Sequence, residues 1–447
     1  MTGVETDGAG RPQGARAVIR NRNFALLWSG GLVSDLGDWM LLVALPVYVF
    51  KLTGSALATS TVFAAELIPA LVVGQVAGVL VDRWNRRRVL VYAGLVQAVL
   101  LLPLLAVTTA DRIWIIYAVA AAQSCLARLC APAKAALVPS LVPPGRITAA
   151  NSLIAVSDNL ARLVGATLGG LAIEFLGLPG VVVVDAVTFL AAAALIAGVR
   201  DLPDRAAVRG LRSGPVGRGR AGILGEWLDG LTTIRRNRPL PATLAVGALA
   251  QVAQGVFLVL FPVFVLVELH GDGAEVGLLR GVQAVGGILG GLLIGLLSRR
   301  LTTRTLVGWG FIGFGLVGLA LWNAPQVTTA LGLYIGLFIA AGPPGVACAT
   351  GLLVAVQTST PPTHLGRVVA VHEAASGGLQ AVGVLTAGAL ADRLGVLAIL
   401  NAQAGLYLLC GLLAFLSLRA MPSIVAPRDQ PDFGHPVARP ASARIST

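Results

Sequence analysis

Long apolar segments alternate with short polar ones along almost the whole chain. Each apolar segment is close to the roughly 20 residues that a helix needs to cross the hydrocarbon core of a bilayer. The predicted spans lie at residues 24–50, 55–81, 88–109, 113–138, 149–175, 179–199, 240–268, 275–298, 304–323, 327–357, 367–391 and 395–418. The pattern therefore predicts an all-α integral membrane protein with twelve transmembrane helices.

One polar segment is far longer than the other internal breaks and separates six predicted spans from six. The chain accordingly divides into a tail at 1–22, a first six-helix bundle at 23–199, a linker at 200–239, a second six-helix bundle at 240–419 and a tail at 420–447. We expect the linker and both tails to be cytoplasmic, because they are rich in arginine.

The two halves also resemble each other in sequence. Under one constant shift, the first-half residues Gly165, Gly170 and Glu174 align with Gly383, Gly388 and Asp392 of the second half. Glycine-rich apolar sequences match easily, so the agreement carries weight only together with the division into six and six spans. A duplicated unit of this kind places a binding site between two halves that rock against each other.

The composition excludes several classes of soluble protein. Only 12% of the 447 residues are charged and the mean hydropathy is +0.83, whereas a soluble domain carries about 25% charged residues. No G-x-x-x-x-G-K-[ST] loop precedes either of the two lysines, Lys51 and Lys134, which disfavours an ATP-driven pump. The four cysteines lie in apolar segments and the four histidines are scattered, so we predict no disulfide, metal site or cofactor. No catalytic constellation points to an enzyme.

The formal net charge of +12 is concentrated in alternate loops. Arginines gather before the first predicted span, between spans two and three, in the central linker, between spans eight and nine and after the last span. Cations collect on the cytoplasmic side of membrane proteins, so we expect both termini to be cytoplasmic. We attribute the charge to topology and predict no nucleic-acid binding. The excess of arginine over lysine is typical of a GC-rich bacterial source, which predicts the bacterial inner membrane.

The segment GVLVDRWNRRRVL, residues 78–90, places one acid directly before a cluster of arginines. Gly78 lies one helical turn before Asp82 and lets another helix approach closely. The Asp82 carboxylate can then meet a helix N-terminus or an arginine of the other half. Such a contact would hold one conformation and break when the halves move, so we interpret the segment as a conformational latch. The alternative is an interfacial acid beside topology-setting arginines, which contributes little energy.

The same segment resembles the loop between spans two and three of the major facilitator superfamily, which reads G-x-x-x-D-R/K-x-G-R/K-R/K. The matching residues are Gly78, Asp82, Arg83, Arg86 and Arg87. Asn85 replaces the usual glycine, and asparagine tolerates the left-handed backbone better than most residues. The resemblance implies a fold of two pseudo-symmetric six-helix bundles. It also implies that Asp82 faces the start of the eleventh span near Gly366 and Arg367.

Longer pieces of the chain resemble one branch of that superfamily, the macrolide-efflux and enterobactin-exporter type. They are RNFALLWSGGLVSDLGDWMLLVALPVYVF, PAKAALVPSLVPPGRITAANSL, DAVTFL, LGRVVAVHEA and GALADRLG. This resemblance implies a monomeric exporter of amphipathic small molecules, such as a drug, macrolide or siderophore, that is driven by proton entry like a drug:proton antiporter. The alternative is a lipid-moving or regulatory membrane protein of the same fold, because a fold does not fix a function.

Acids inside the predicted spans are candidates for proton coupling. An ionisable group at a helix centre costs roughly 2.5–3.5 kcal/mol, so it normally faces a cavity or a partner. Asp35 and Asp38 share one face of the first span, and two neighbouring carboxylates repel when both are ionised, so one of them readily holds a proton. Together with Glu66 of the second span, they are our predicted coupling residues. The alternatives are a polar lining that does not titrate and, for Glu66, a hydrogen bond to a backbone group freed by Pro69.

Further charges inside the spans are candidates for a substrate cavity or for ion pairs. Arg128 lies deep in the fourth span, where it pairs with an acid of the first span, binds substrate or forms a structural pair. Asp158 and Arg162 are one helical turn apart in the fifth span, which predicts a local ion pair. Asp185 of the sixth span is a second candidate partner for Arg162. Lys134 is expected to extend its long side chain to the membrane interface.

Small residues in two spans indicate close helix contacts. The fifth span keeps Gly165, Gly169 and Gly170, and Ala166 stands where the family's antiporters have proline. We predict helix packing at the three glycines, because small residues let backbones approach. The replaced proline weakens the resemblance to an antiporter. A second set recurs at four-residue steps in the eighth span and predicts another seam: Gly287, Gly291 and Gly295.

Overall fold

The computed structural model describes residues 15–81, 84–200, 239–297, 301–360 and 364–417, together with residues 232, 234 and 235. Within these ranges the chain forms a short helix, Ala15–Ile19, and twelve long ones. The long helices are α1 (Arg22–Thr53), α2 (Ala56–Val81), α3 (Arg86–Leu101), α4 (Ile113–Leu141), α5 (Ile147–Phe175), α6 (Gly177–Ala197), α7 (Pro239–Val267), α8 (Gly273–Leu297), α9 (Thr303–Asn323), α10 (Leu331–Ser359), α11 (Leu365–Leu394) and α12 (Val396–Ser417).

Each long helix coincides with one predicted apolar segment, which confirms the all-α membrane fold. In the part of the chain that the structure describes, eleven of the twelve are long and apolar enough to cross a membrane on their own composition. The remaining helix, α5, has the length of a span but carries Asp158, Arg162 and Glu174. Its polar residues are accommodated because α5 packs between α1 and α8. The chain is therefore a multi-pass membrane protein.

The ends of α1 show how the local sequence sets a helix boundary. Asn21 precedes the helix, and its side-chain oxygen accepts hydrogen bonds from the backbone N–H groups of Asn23 and Phe24 at 3.1 and 3.3 Å. These bonds satisfy donors that the first turn leaves free. At the other end, Gly54 has a φ of 65° and its N–H bonds to the Phe50 carbonyl. A side chain would be strained at that φ, so glycine ends the helix.

Asn85 does not use the left-handed conformation that we expected at the usual glycine position. Its φ of −67° and ψ of 111° are extended, and its side chain accepts a hydrogen bond from the Arg88 N–H at 3.1 Å. Asn85 is therefore the N-cap of α3. Asparagine is among the best N-cap residues, which gives this departure from the family pattern a local structural reason.

Equivalent glycines make equivalent helix contacts in the two halves. A Cβ atom added at Gly165 would lie 2.6 Å from the Leu36 carbonyl of α1. Gly383, its counterpart in α11, lies still more tightly against the Val252 carbonyl of α7. The α1–α5 pair is thus repeated as the α7–α11 pair, in agreement with the internal repeat in the sequence.

Two seams join the halves. We name the side that holds the start of α1 and the end of α12 the terminal side, and the opposite side the far side. In the first seam, α5 packs on α8, and a Cβ atom at Gly277 would lie 2.8 Å from the Gly170 Cα. In the second, α11 packs on α2, where Gly388 lies against Ser60 and Leu57. Both contacts are at the far side, so the halves are closed there.

The prediction that Gly287, Gly291 and Gly295 form the contact face of α8 is wrong for the last two. A Cβ atom added at Gly291 or Gly295 would meet nothing within 4 Å. The close contacts of α8 are made instead by Gly277 and Gly281 on α5 and by Gly290 on α10. The first glycines of α8 therefore contact α5, and Gly290, further along the helix, contacts α10. The face of α8 that touches a neighbour changes along its length.

An aromatic cluster holds the far side of the second half together. The Phe257 and Phe261 rings of α7 stack with centroids 5.3 Å apart. Phe261 meets Phe338 of α10 edge-on at 5.2 Å, and Phe264 meets Trp322 of α9 at 4.9 Å. All five rings are buried, and offset or edge-on aromatic pairs add stability beyond the area that they bury. This cluster gives α7 a rigid support beside the cavities.

Candidate functional site

Three adjoining cavities lie along the middle of the molecule. The acidic cavity, lined by Asp35, Asp38, Lys134 and Asp158 among others, has a volume of about 560 Å³. The central cavity, lined by Asp38, Glu66, Arg128, Gln254 and Arg280 among others, has about 530 Å³. The arginine cavity, lined by Arg162, Arg280, Gln283 and His372 among others, has about 580 Å³. Each volume is within the range of ligand pockets.

Shared residues connect these cavities across the interface between the halves. Asp38 and Trp39 of α1 line both the acidic and the central cavity. Gln254 of α7 and Arg280 of α8 line both the central and the arginine cavity. The three cavities therefore adjoin one another near the interface between the halves, with several acids in the acidic cavity and two arginines in the arginine cavity.

Asp35 forms an ion pair that the sequence analysis missed. The Lys134 Nζ of α4 donates a hydrogen bond to the Asp35 Oδ2 at 2.9 Å. The expectation that Lys134 extends to the membrane interface is therefore wrong. Gly31, one turn before Asp35, makes room for the lysine, because a Cβ atom there would lie 2.7 Å from the Nζ. The pair compensates both charges inside the helix bundle.

We expect removal of either partner of this pair to destabilise the protein, and removal of both to be tolerated better. Lys134→Gln leaves Asp35 without its cation in a cavity that also holds Asp38 and Asp158, and Asp35→Asn removes the hydrogen-bonded partner of Lys134; removing one member is the costly way to break an enclosed pair. The double variant removes both members of the pair. Monodisperse protein remaining after a heating series is the measurement. Losses that simply add in the double variant would show that the two groups are not coupled.

Asp38 is exposed to the acidic and central cavities. A second acid, Asp185 of α6, packs against the same helix, α1. Asp185 of α6 is fully buried, and Thr188 donates a hydrogen bond to its Oδ1 at 3.1 Å. The Asp185 side chain lies against Gly37, next to Asp38 in the chain. Among the described residues no cation pairs with Asp185, and its Oδ2 has no hydrogen-bond partner. The proposed pairing of Asp185 with Arg162 is therefore wrong.

Glu66 lines the central cavity and is half-buried. Its backbone carbonyl, near Pro69, accepts a hydrogen bond from the Ser124 hydroxyl of α4 at 2.6 Å. Pro69 frees the carbonyl of Ala65, one residue earlier, so this bond does not replace the alternative in which the Glu66 side chain serves a freed backbone group. The structure leaves the Glu66 carboxylate on the same cavity surface as Asp38.

The predicted local ion pair between Asp158 and Arg162 is wrong. The Arg162 Nη2 donates a hydrogen bond to the Asn159 Oδ1 at 3.0 Å, and Asp158 lines the acidic cavity with Asp35 and Lys134. The two side chains point into different cavities, since Arg162 lines the arginine cavity. The fifth candidate charge, Arg128, is exposed in the central cavity and forms no ion pair with the other described residues.

Arg280 is a cavity residue that the sequence analysis overlooked. Its Cζ lies 5.1 Å from the centre of the Phe257 ring, and its Nη1 donates a hydrogen bond to the Gln283 Oε1 at 3.3 Å. In the ranges given above, no carboxylate pairs with it. The signal was present, because Arg280 is the one cation inside the eighth predicted span, and a charge in a span marks a functional site by default.

Charged and backbone groups close the far side across the two halves. The Lys51 Nζ lies 2.6 Å from the Glu174 Oε2. The same carboxylate oxygen accepts a hydrogen bond from the Gly273 N–H, the first residue of α8, at 3.0 Å. Glu174 ends α5 in the first half, so this bond crosses between the halves and uses the favourable field of a helix N-terminus.

We expect Glu174→Ala to open the far side about tenfold more often than in the wild type, because a hydrogen bond to a charged group contributes about 1.5–3 kcal/mol. Lys51→Gln is the matched control. It removes only a solvent-exposed ion pair, which is worth about 0–1 kcal/mol. Electron paramagnetic resonance distances between spin labels at Phe175 and Val267, after replacement of the four native cysteines, measure the opening. Equal effects of the two variants would contradict this role of Glu174.

The proposed latch is described only in part. Asp82 and Arg83 lie outside the described residues, and Gly78 is in the last turn of α2. The Arg86 Nη1 donates a hydrogen bond to the Ala136 carbonyl of α4 at 3.2 Å, and the Arg87 Nη2 donates one to the Ala197 carbonyl at the end of α6. Both arginines thus hold helices of the first half together. The latch itself stays a prediction.

Comparison with known proteins decides the family. Residues 13–437 match the family described as transmembrane secretion effector. The chain belongs to this family of the major facilitator superfamily. Macrolide efflux protein A of Streptococcus pyogenes is 26% identical over 83% of this chain and 90% of its own length. Multidrug efflux pump Tap of Mycolicibacterium fortuitum is 29% identical over 87% of this chain and 94% of its own length.

Solved structures of other major facilitator transporters share the fold. A bacterial homologue of the iron transporter ferroportin, in an inward-facing state, matches with a TM-score of 0.68 at 17% identity and covers 89% of this chain and 97% of its own. A D-xylose–proton symporter matches with a TM-score of 0.66 at 15% identity and covers 91% of this chain and 98% of its own. At these identities the likeness establishes the fold alone.

Membership of the major facilitator superfamily confirms that the chain is a membrane transporter and not an enzyme. It also gives a meaning to Ala166, the position where the family's antiporters have proline. Ala166 is buried, and its carbonyl lies against Gly277 of α8 in the seam between the halves. The close approach of α5 and α8 is therefore kept without the proline.

Proposed function

We propose that this transporter exports amphipathic small molecules in exchange for protons, by alternating access and as a monomer. One observation carries the proposal: membrane-embedded acids line the connected acidic and central cavities. They are Asp35, Asp38, Glu66 and Asp158. Because a charge inside the membrane is costly unless it binds something, acids on a cavity surface are suited to take up and release a proton during transport. No cofactor other than the proton is required.

The proposed location is the bacterial inner membrane, with the terminal side in the cytoplasm. The described helix ends next to the arginine-rich segments of the sequence, among them the start of α3 and the end of α6, lie on that side, as the positive-inside rule leads us to expect. The far side would then face outward. Since both seams close at the far side, we infer that the cavities open toward the cytoplasm.

The proposed coupling uses Asp38 as the main proton site. Asp38 touches both cavities, whereas Asp35 is already neutralised by Lys134. A proton on Asp38 removes a negative charge from the interface between α1 and the second half. Protonation shifts the balance between the inward-open and outward-open states only if the two states bind the proton with different affinity. Rocking of the first half against the second would change the surroundings of Asp38 and so supply such a difference.

The proposed substrate class follows from the lining of the cavities and from the relatives. The central cavity combines apolar side chains such as Leu42, Phe63 and Leu258 with the polar Gln123 and Gln254. This mixture suits a molecule with an apolar body and a polar group. The printed names of two relatives, a macrolide efflux protein and a multidrug efflux pump, agree with export of such molecules. The alternative, a lipid-moving or regulatory protein without coupled export, would need no membrane-embedded acids.

Transport in proteoliposomes tests the proposal. A fluorescent amphipathic cation and an imposed pH gradient are used, and the gradient is collapsed in the control. Uphill, gradient-dependent movement of the dye is the expected result. Lipid movement without any gradient, and no dye transport, would favour the lipid-moving alternative instead.

A further inference from the structure

The arginine cavity contains two guanidinium groups that the proton-coupling scheme does not use. Arg162 belongs to α5 of the first half and Arg280 to α8 of the second. Both line this one cavity, and the Arg162 guanidinium reaches α8, since a Cβ atom added at Gly287 would lie 3.7 Å from its Nη2. Among the described residues, no carboxylate lies within salt-bridge distance of either. Two like charges that face one cavity without an acid between them attract an anion.

Both guanidinium groups are held in place but keep donors free. The Arg162 Cζ lies 6.0 Å from the centre of the Trp39 ring, and one of its nitrogens bonds to Asn159. The Arg162 Nε is buried and has no hydrogen-bond partner in the part of the chain that the structure describes. Arg280 rests on the Phe257 ring and donates one hydrogen bond to Gln283. A buried donor without a partner is costly, which favours an acceptor beside the Arg162 guanidinium.

The remaining lining of the cavity is partly polar and partly apolar. The polar side chains are the amides of Gln251, Gln254 and Gln283, with His372 and one carboxylate, Glu373. The apolar side chains include Phe311, Phe314, Val346, Leu352 and Leu353. Two guanidinium groups in a cavity with this much apolar lining are complementary to an amphipathic anion.

We propose that the arginine cavity binds the carboxylate of an amphipathic organic acid between Arg162 and Arg280. The planar guanidinium fork matches a carboxylate in a bidentate manner, and the apolar side chains of the lining receive the body of the molecule. The inference rests on the proposed export function and adds amphipathic anions to its substrate class. Because the two arginines come from different halves, a carboxylate bound by both also favours the conformation in which the halves meet around it.

The test is a binding measurement with two probes that differ in one charge. Purified protein in lipid nanodiscs is titrated with N-dansyl-phenylalanine, a carboxylate, and with its methyl ester, and dansyl fluorescence reports binding. We expect Arg162→Gln and Arg280→Gln each to weaken carboxylate binding about 10- to 100-fold, as the loss of a charge-assisted bond predicts. Ester binding should change less than about twofold. Arg280→Lys should be intermediate, because the charge remains but the fork is lost.

Arg112→Gln is the control, since Arg112 is exposed in the turn before α4. It should leave the binding of both probes unchanged. Retained carboxylate binding in both glutamine variants overturns the proposal. Equal loss of ester and carboxylate also overturns it, because that result assigns the arginines a structural role. If the wild-type protein transports an amphipathic cation but binds the carboxylate no better than the ester, the export function stands. This inference alone is then rejected.

Discussion

Replacing Asp38 with asparagine is expected to abolish transport driven by a pH gradient, while exchange without a gradient continues. Asp38 lines both the acidic and the central cavity and has no cation paired with it in the described residues. Asparagine has nearly the same shape but carries no titrating proton. A residue that couples proton entry to substrate movement should therefore lose the driving force and keep the conformational cycle.

The expected loss of substrate accumulation in the Asp38→Asn variant is large. For one proton per substrate, each pH unit of gradient can support about a tenfold uphill accumulation, because one unit corresponds to 1.36 kcal/mol. The Asp38→Asn variant should bring the ratio down to about one. Preloaded vesicles that exchange labelled for unlabelled substrate without a gradient measure the intact cycle.

Asp111→Asn is the matched control for this substitution. Asp111 is exposed in the short turn before α4, so its loss should leave the accumulation unchanged. Glu66→Gln tests whether Glu66, the other acid of the central cavity that is unpaired among the described residues, is the coupling residue instead of Asp38. Full accumulation in Asp38→Asn together with its loss in Glu66→Gln would move the coupling site to α2. Full accumulation in both variants and in Asp35→Asn would reject coupling by these acids.

Single-helix patterns predicted the parts of the site that depend on one helix. Apolar segments of sufficient length located α1 to α12, because the bilayer sets the length of a span. The spacing of Asp35 and Asp38 placed both on one face of α1, and both line the acidic cavity. The glycines of α5 were singled out for the same reason: Gly169 lies 2.5 Å, measured to an added Cβ atom, from the Met40 carbonyl.

Contacts between helices were harder to predict. The partner of Asp35 is Lys134, which is 99 residues away in the chain, and its approach depends on how α4 is rotated and on the space that Gly31 leaves. The local rule paired Asp158 with Arg162 because they are one turn apart, yet their side chains enter different cavities. Spacing within a helix shows which residues are neighbours on that helix. It does not show which of their side chains instead contact a different helix or cavity.

Placing a valine at Gly277 is expected to have the largest structural effect, because this glycine lies where α8 touches α5 across the two halves. A Cβ atom there would lie 2.8 Å from the Gly170 Cα and would also meet the Ala166 carbonyl. Both neighbours are backbone, so no flexible side chain can move aside. Overpacking typically costs about 1–3 kcal/mol even where side chains can adjust. The far side should therefore fail to close.

Gly291→Val is the matched control on the same helix, since an added Cβ atom at Gly291 meets nothing within 4 Å. We expect Gly277→Val to lose most substrate transport and to lower the apparent melting temperature, and Gly291→Val to retain both. If Gly277→Val proves too unstable to purify, Gly277→Ala gives the smaller version of the same test. Wild-type transport by Gly277→Ala and Gly277→Val alike would mean that the α5–α8 seam opens without cost. The closed far side would then depend on the Glu174 contact with α8 and on the α2–α11 seam instead.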